Sequence, residues 1–240
     1  MIVRNNLLNY KDCYIFQDTD YFKMSLDSLL LSKFVTINLR DKNILDIATG
    51  NAPIPMLLTF RTKAHIYGVE LNKEVHLLGR ISINENNMRK QITLINDDAR
   101  NLDNVFKAEF FDVITCNPPY FKTNNVLYEN DNSVKAMARH EKTLELENVF
   151  QISQFLLKNN GRLAIVHRTE RLMEIIDIMK KYNFEMKKIR FVYPNKEKNS
   201  DLVLIECVKN GRHGLKMLPP LFVYKEKGIY SDEVEAMFGE

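Results

Sequence analysis

The chain has 240 residues, of which 45% are apolar and 27% charged, and a net charge of only +3. That length supports one sizeable core, and the composition is that of an ordinary globular protein that does not by itself announce a nucleic-acid partner. No apolar run approaches the ~18 residues a membrane span needs, and the three cysteines, Cys13, Cys116 and Cys207, show neither metal-ligand spacing nor an even-numbered disulfide framework. Cys116 and Cys207 sit inside apolar runs, as buried thiols do in a reducing compartment. The opening Met1-Ile2-Val3-Arg4-Asn5-Asn6 runs into polar residues instead of a signal peptide, so a cytoplasmic location is expected.

In chain order, the first 40 residues stand outside the pattern that follows, and within them Ser25 to Ile37 reads as a capped amphipathic helix. Five short β-branched runs then alternate with longer helical patterns. The strands are expected at Asn43–Ala48, His65–Val69, Ile92–Ile95, Asp112–Cys116 and Arg162–His167. Lys73 to Asn87 reads as a helix with Val75, Leu78 and Ile81 on its apolar face, and Leu144 to Leu157 as another, ended by Asn159-Asn160-Gly161 as a left-handed cap. Arg171 to Tyr182 is a third. Phe184–Val192 and Leu202–Val208 read as two more strands, separated by a polar loop and pairing antiparallel at the sheet end. The tail from Met217, with Pro219-Pro220 and an acidic end, reads as an extension.

This alternation predicts an α/β fold with a parallel sheet. A five-strand parallel core followed by an antiparallel pair is the layout of class I, Rossmann-like methyltransferases: a mainly parallel seven-stranded sheet with an antiparallel last strand.

Three features fall at the carboxyl ends of successive strands, where open α/β sheets bind ligands. The first is Asp46-Ile47-Ala48-Thr49-Gly50-Asn51-Ala52. Its small residues admit a ligand close to the backbone, Gly50 accommodates positive φ, and Asp46 attracts the ammonium or sulfonium of S-adenosylmethionine. Ala48 and Ala52 stand where the related motif carries glycines, and a plain strand-to-helix turn is the competing reading. The second is Glu70, 20 residues after Gly50. A carboxylate there either accepts from both hydroxyls of a ribose or simply favours the start of the next helix. Asp97-Asp98 after the third strand offers an acceptor to an adenine amine.

The third feature is the most specific. Asn117-Pro118-Pro119-Tyr120 ends the fourth strand, and its prolines stop pairing and fix a rigid turn. The Asn oxygen and a proline carbonyl are then two aimed acceptors. An exocyclic aromatic amine is a poor nucleophile because its lone pair is delocalised. Two acceptors gripping its N–H groups favour a more tetrahedral nitrogen, and positioning does most of the catalytic work. Tyr120 offers a face on which an extruded base stacks.

Asn117-Pro118-Pro119-Tyr120 resembles the signature of amino methyltransferases acting on adenine, guanine or glutamine. Further segments resemble one branch, the tRNA(Val) adenosine-37 N6-methyltransferase family: Phe22-Lys23-Met24-Ser25-Leu26-Asp27-Ser28-Leu29-Leu30-Leu31, the loop Asp46 to Pro55, Asn117 to Phe121, Ala138-Arg139-His140-Glu141 and Leu163 to Arg168. The resemblance spans nearly the whole chain. It implies one methyltransferase domain over residues 1–240, with a lid or extension at 1–40, a core at 41–210 and a C-terminal extension at 211–240. It implies S-adenosylmethionine as cofactor, held by Ser25, Asp46, Ala48, Gly50, Glu70, Asp98 and Asn117, with no metal. Asn117, Pro118, Pro119 and Tyr120 would hold the target amine of a tRNA anticodon arm, in a monomer or weak dimer.

Charge distribution suits that partner. Lys158 to Lys227 carries 16 Lys and Arg against 8 Asp and Glu, a balance of +8, while the remainder stands at −5. Arg139, Arg168, Arg171, Lys196 and Lys198 are the expected RNA contacts, with salt-bridging or simple solvation as the competing reading of each. Thr123 to Ser133 reads as a polar loop placed to close over a flipped base. The competing functions are a protein glutamine N5-methyltransferase or DNA methyltransferase of the same fold, and a catalytically silent binding module.

Overall fold

The computed structural model describes residues 1–10, 12–19, 21, 24–118 and 144–239. The expected site residues Pro119, Tyr120 and Arg139, and the loop from Thr123 to Ser133, lie outside the described residues.

An N-terminal hairpin, β1 (Ile2–Asn6) and β2 (Tyr14–Asp18), precedes helix α1 (Leu26–Phe34). The core then runs β3 (Asn43–Ile47), α2 (Pro53–Thr59), β4 (His65–Glu70), α3 (Lys73–Glu85), β5 (Ile92–Asn96), a 3-10 turn (Ala99–Asn104) and β6 (Phe111–Cys116). After the undescribed stretch come α4 (Leu146–Leu156), β7 (Leu157–Arg168), α5 (Leu172–Lys181), β8 (Phe184–Tyr193) and β9 (Leu202–Lys209). Short strands β10 (Lys216–Met217), β11 (Leu221–Phe222), β12 (Tyr224–Glu226) and β13 (Ile229–Tyr230), and a final turn of helix α6 (Asp232–Glu235), complete the chain.

The main sheet has the order β8-β9-β7-β6-β3-β4-β5, with β10 and β11 pairing parallel to β8 on its outer side. β3, β4, β5, β6 and β7 are mutually parallel. β9 is antiparallel to both neighbours, β7 and β8. The last core strand is thus antiparallel, as expected, and it lies between β7 and β8, so the pair closes the sheet end. Because β8 remains parallel to the core, the β8–β9 turn opens on the same edge as the ends of β3, β4 and β6.

The sheet is buried on both faces, and strand alternation sorts its side chains. Ile44, Ile66, Val113, Ala164 and Val166 pack with α1, α2 and the hairpin. Leu45, Ile114, Leu163, Ile165 and Ile205 pack with α4, α5 and the 3-10 turn.

Three expectations are corrected, and the tail, read only as an extension, is placed. Helix α1 buries Ser28, Leu29, Leu30, Leu31, Ser32 and Phe34, so it is enclosed and not amphipathic, and Ser25 stands at its N-cap without a side-chain capping bond. Helix α3 buries His76, Leu78, Gly79, Ser82 and Ile83, and leaves Leu77 and Ile81 exposed. Its inner face meets backbone: a Cβ on Gly79 would stand 3.2 Å from the Asn51 carbonyl carbon, and Ser82 Oγ accepts from Phe16 N at 2.9 Å. Small residues are needed there. Asn159-Asn160-Gly161 does not cap a helix. The chain passes directly from α4 into β7, and Asn160, at φ 63°, absorbs the register shift against β6. The tail is folded, with Leu221, Val223 and Val234 buried and Phe238 O accepting from Asn9 N at 3.1 Å.

Cations hold the carboxyl end of α1. Arg61 donates to the carbonyls of Ser32 and Val35, and Lys188 Nζ to that of Phe34 at 2.6 Å. Buried Glu206 accepts from Thr36 N at 2.6 Å and pairs with Lys188 at 3.5 Å. Positive charge at a helix carboxyl end opposes its dipole and satisfies its last carbonyls. This fixes where the amino end of α1 lies over the sheet.

Candidate active site

Asp46 ends β3 with no exposure to solvent. Its two oxygens accept from the hydroxyls of Thr49 and Thr115, each at 2.6 Å. Burial still dominates and pushes its carboxyl up to about 7, with the nearby Glu70 charge adding to the rise.

The following loop carries three left-handed residues in alternation: Ala48 at φ 54°, Gly50 at 61° and Ala52 at 68°. The two alanines occupy glycine-like conformations, which cost an L-residue about 1 kcal/mol or more each. The loop is pinned on three sides. Thr49 N donates to Val69 O at 2.9 Å, Asn51 Nδ2 to Phe16 O at 2.8 Å, and Gly50 N to Glu70 Oε2 at 2.9 Å. At Gly50 a Cβ would meet nothing within 4 Å, so space opens above the loop. Gly68 has the opposite reason for being small: a Cβ there would stand 2.7 Å from Leu94 and 2.9 Å from Thr49.

Glu70 is 7% exposed and holds the loop to the next helix, accepting from Gly50 N on one oxygen and from Asn72 N, at 2.8 Å, on the other. Each carboxylate oxygen has two lone-pair directions, the geometry that suits the two hydroxyls of a diol.

Asn117 follows β6 directly, beside β3: Asp46 pairs with Thr115 and Ile47 with Cys116. Its Nδ2 donates to Ser28 Oγ at 3.1 Å. An amide held by its nitrogen presents oxygen as the acceptor that a target amine requires. Pro118 behind it is buried. The amino-terminal turn of α1 therefore lies at the same sheet edge as the loop, and Ser25, one turn earlier, has a buried Oγ without a hydrogen-bond partner.

Other expected residues are placed differently. Asp98 caps the 3-10 turn and binds the Arg100 guanidinium at 2.5 Å, which holds its carboxyl below the usual range. Arg171 is paired with Glu174 at 2.6 Å, with its side chain only 12% exposed, so it braces α5 instead of facing solvent. Arg168, Lys196 and Lys198 are exposed. Arg168 ends β7, the two lysines lie in the β8–β9 turn, and Thr169 Oγ1 joins the two segments through Ser200 Oγ at 3.0 Å.

Buried acceptors, an open loop and a buried carboxyl suit a nucleoside with a cationic tail. Glu70 has capacity for ribose hydroxyls, Asp46 for the positive charge, and Ser25 Oγ is an orphaned polar atom at the edge. The residues present fit S-adenosylmethionine.

Comparison with known proteins agrees in kind. The family described as a methyltransferase domain matches residues 38–217. A curated tRNA1(Val) (adenine(37)-N6)-methyltransferase of Tolumonas auensis is 28% identical over 198 residues, covering 82% of this chain and 80% of its own. One of the same name from Flavobacterium psychrophilum is 22% identical and covers 96% of this chain and 97% of its own. Among solved structures, a predicted O-methyltransferase of Agrobacterium tumefaciens superposes with a TM-score of 0.70 at 18% identity, over 88% of this chain and 95% of that one. A geranyl diphosphate C-methyltransferase of Streptomyces coelicolor, in complex with Mg2+, geranyl diphosphate and S-adenosyl-L-homocysteine, gives 0.58 at 12% identity, over 76% and 79%. At these identities the solved structures speak to the fold.

Proposed function

The chain belongs to the methyltransferase-domain family, and from that premise we propose that it methylates the exocyclic amine of an adenosine in tRNA, with S-adenosylmethionine as donor. The carrying observation is one of register: Asp46 and Asn117 stand at adjacent strand ends, with Thr115 bonded to the first and two residues before the second. The ligand-binding loop and the amine-gripping motif therefore open on one edge.

S-adenosylmethionine, when bound, supplies an electrophilic methyl group on a sulfonium. Glu70 accepts from its ribose hydroxyls, and Asp46 draws the positive charge toward the β3 loop. Asn117 Oδ1 and the adjoining proline carbonyl accept the two N–H groups of the target amine, concentrating its lone pair on nitrogen. As the nitrogen takes the methyl group it becomes a cationic secondary ammonium, whose now acidic proton passes to water, so no strong base is needed. Orientation and fixed dipoles lower the barrier.

The choice of tRNA rests on the relatives, which carry the name tRNA1(Val) (adenine(37)-N6)-methyltransferase. Their names support adenosine 37 of a valine tRNA as substrate. The basic balance of residues 158–227 favours RNA over a protein glutamine. No helix among the described residues is long and apolar enough to cross a membrane, and a cytoplasmic enzyme reaching the anticodon arm as a monomer or weak dimer is the consistent setting. Within one domain, the hairpin and α1 form an extension over the loop.

The test is methyl transfer from labelled S-adenosylmethionine to tRNA lacking its own modification, followed by nucleoside analysis. N6-methyladenosine that disappears in Asn117→Ala is the expected result. Label in a protein fraction and none in tRNA would overturn the RNA reading.

A further inference from the structure

The ligand pocket described above is rich in acceptors. Asp46 and Glu70 carry carboxyl groups, suited to a positive charge and to hydroxyls. S-adenosylmethionine also carries a carboxylate at its methionyl end, and that group needs donors. Among the described residues, the side-chain hydroxyls at the loop, those of Thr49 and Thr115, are spent on Asp46, and Asn51 Nδ2 is tied to the Phe16 carbonyl.

Among the described residues, Gln17 offers a buried donor near the loop that is not spent. Gln17 on β2 is 6% exposed, and its Nε2 has no hydrogen-bond partner. A buried amide N–H left unpaired costs about 1–3 kcal/mol, so such a group in a folded protein calls for a ligand or a water. Its Oε1 is fixed, accepting from Asn5 Nδ2 on the paired strand at 3.0 Å. The amide is thereby oriented, with Nε2 as the end to be filled.

The position of Gln17 follows from its neighbours. β2 runs along α3 toward that helix's amino end, with Tyr14 N bonded to Asn86 and Phe16 N to Ser82. The Phe16 carbonyl then takes Asn51 of the ligand loop. Gln17 is the next residue, and it shares its strand face with Ile15. Ile15 packs in the cluster that holds Leu29 and Leu30 of α1 and Ala52 and Ile54 beyond the loop. The amino end of α1 contributes the second orphan, Ser25 Oγ. Two unfilled polar groups, on β2 and at the start of α1, thus flank one loop from two sides.

We propose that Gln17 is a cofactor-positioning residue: its Nε2 donates to the carboxylate at the methionyl end of the cofactor, with Ser25 Oγ beside it. This rests on the reading of the site as an S-adenosylmethionine pocket. It gives the hairpin a function, because β2 then joins the ligand loop, through Asn51, to the far end of the ligand.

The experiment compares two ligands by isothermal titration calorimetry. S-adenosylhomocysteine keeps the amino-acid end, whereas 5′-methylthioadenosine keeps the nucleoside and sulfur and lacks that end. In Gln17→Glu, which preserves the acceptor for Asn5 and turns the donor into a negative oxygen, affinity for S-adenosylhomocysteine falls about 10- to 100-fold. Gln17→Leu falls similarly, and both variants bind 5′-methylthioadenosine as the unaltered protein does. Equal losses for the two ligands would assign Gln17 a merely structural role, and no loss for either would remove it from the site; both outcomes overturn the proposal. Failure of the unaltered protein to bind either ligand would instead overturn the cofactor reading on which the proposal stands.

Discussion

Asn117 donates its side-chain nitrogen to the hydroxyl of Ser28, 3.1 Å away and 89 positions earlier in the chain. A side-chain amide has a donor end and an acceptor end of nearly equal shape, and only its partners decide which faces a substrate. Ser28, 3% exposed on α1, makes that decision here. Ser28→Ala is expected to lower the single-turnover rate of methyl transfer about 3- to 10-fold, the value of one neutral hydrogen bond, with cofactor affinity unchanged. Asn117→Ala removes the acceptor itself and costs about 100-fold or more. An unchanged rate in Ser28→Ala would show that the amide is oriented by other contacts.

Asp46 couples stability and ligand binding to pH. Its folded carboxyl titrates near 7, above the ordinary 3.8. Between those values the folded state holds a proton that the unfolded state has lost, so stability from this group is greatest below about pH 4 and declines as pH rises to 7. Above 7 the carboxylate is charged and buried, which is the state a cationic ligand rewards. Thermal melts of the ligand-free protein should therefore show a fall in stability from pH 5 to 8 that Asp46→Asn reduces. Affinity for S-adenosylmethionine should rise over the same interval, with proton release detectable by calorimetry in buffers of different ionisation enthalpy. A variant with the same pH profile as the parent would place the titration elsewhere.

The strands, and the end of β6 before Asn117, were legible because their signals are local: β-branched runs of the right length, and a proline that follows a buried strand. Helix α2 was assigned no element from the sequence, although it opens on Pro53 and proline is well suited to a first helical turn. The buried face of α3 was misread through Ile81, since what packs there is backbone, and backbone contact selects Gly79 and Ser82 over a larger apolar side chain. Asp98 and Arg171, read as site residues, are also tied within the protein, to Arg100 and Glu174 two and three positions on, and that pairing has no signal in hydropathy. The hairpin and the two-residue strands of the tail depend on partners far along the chain, and a solitary glutamine such as Gln17 carries no pattern at all. Hydropathy records what is buried, and these features are defined by what they touch.

The left-handed alanines of the ligand loop predict stabilising substitutions. Ala48 and Ala52 hold φ of 54° and 68°, and glycine adopts that region without the steric penalty that Cβ imposes. Glycine also makes the unfolded chain more flexible, which offsets part of the gain. Ala48→Gly and Ala52→Gly should each stabilise the protein by about 0.5 kcal/mol in urea denaturation, with cofactor affinity equal or improved. Destabilisation by either would mean that the alanine methyl contributes more in packing than the backbone loses, which is the greater risk at Ala52, where the side chain is fully buried.

Salt dependence separates the basic residues that meet RNA from those that brace the fold. Arg168 and the lysines at 196 and 198 are exposed on the edge where β3 and β6 end, and the bond from Thr169 to Ser200 holds their two segments side by side. Each phosphate contact made by such a residue releases counterions and adds about 0.7–0.9 to the slope of log affinity against log salt. Replacing Arg168, Lys196 and Lys198 together by alanine should therefore weaken binding of a fluorescent anticodon stem-loop and flatten that slope by about 2, with little change in unfolding midpoint. Arg171→Ala should do the reverse: its guanidinium is tied to Glu174 and partly buried, so its loss lowers stability by about 1 kcal/mol and leaves the slope alone. Should the triple variant keep the parental slope, these side chains are solvated and the RNA lies across a different part of the basic half. Should Arg171→Ala flatten the slope, its pairing with Glu174 opens when RNA binds, and the arginine serves both partners in turn.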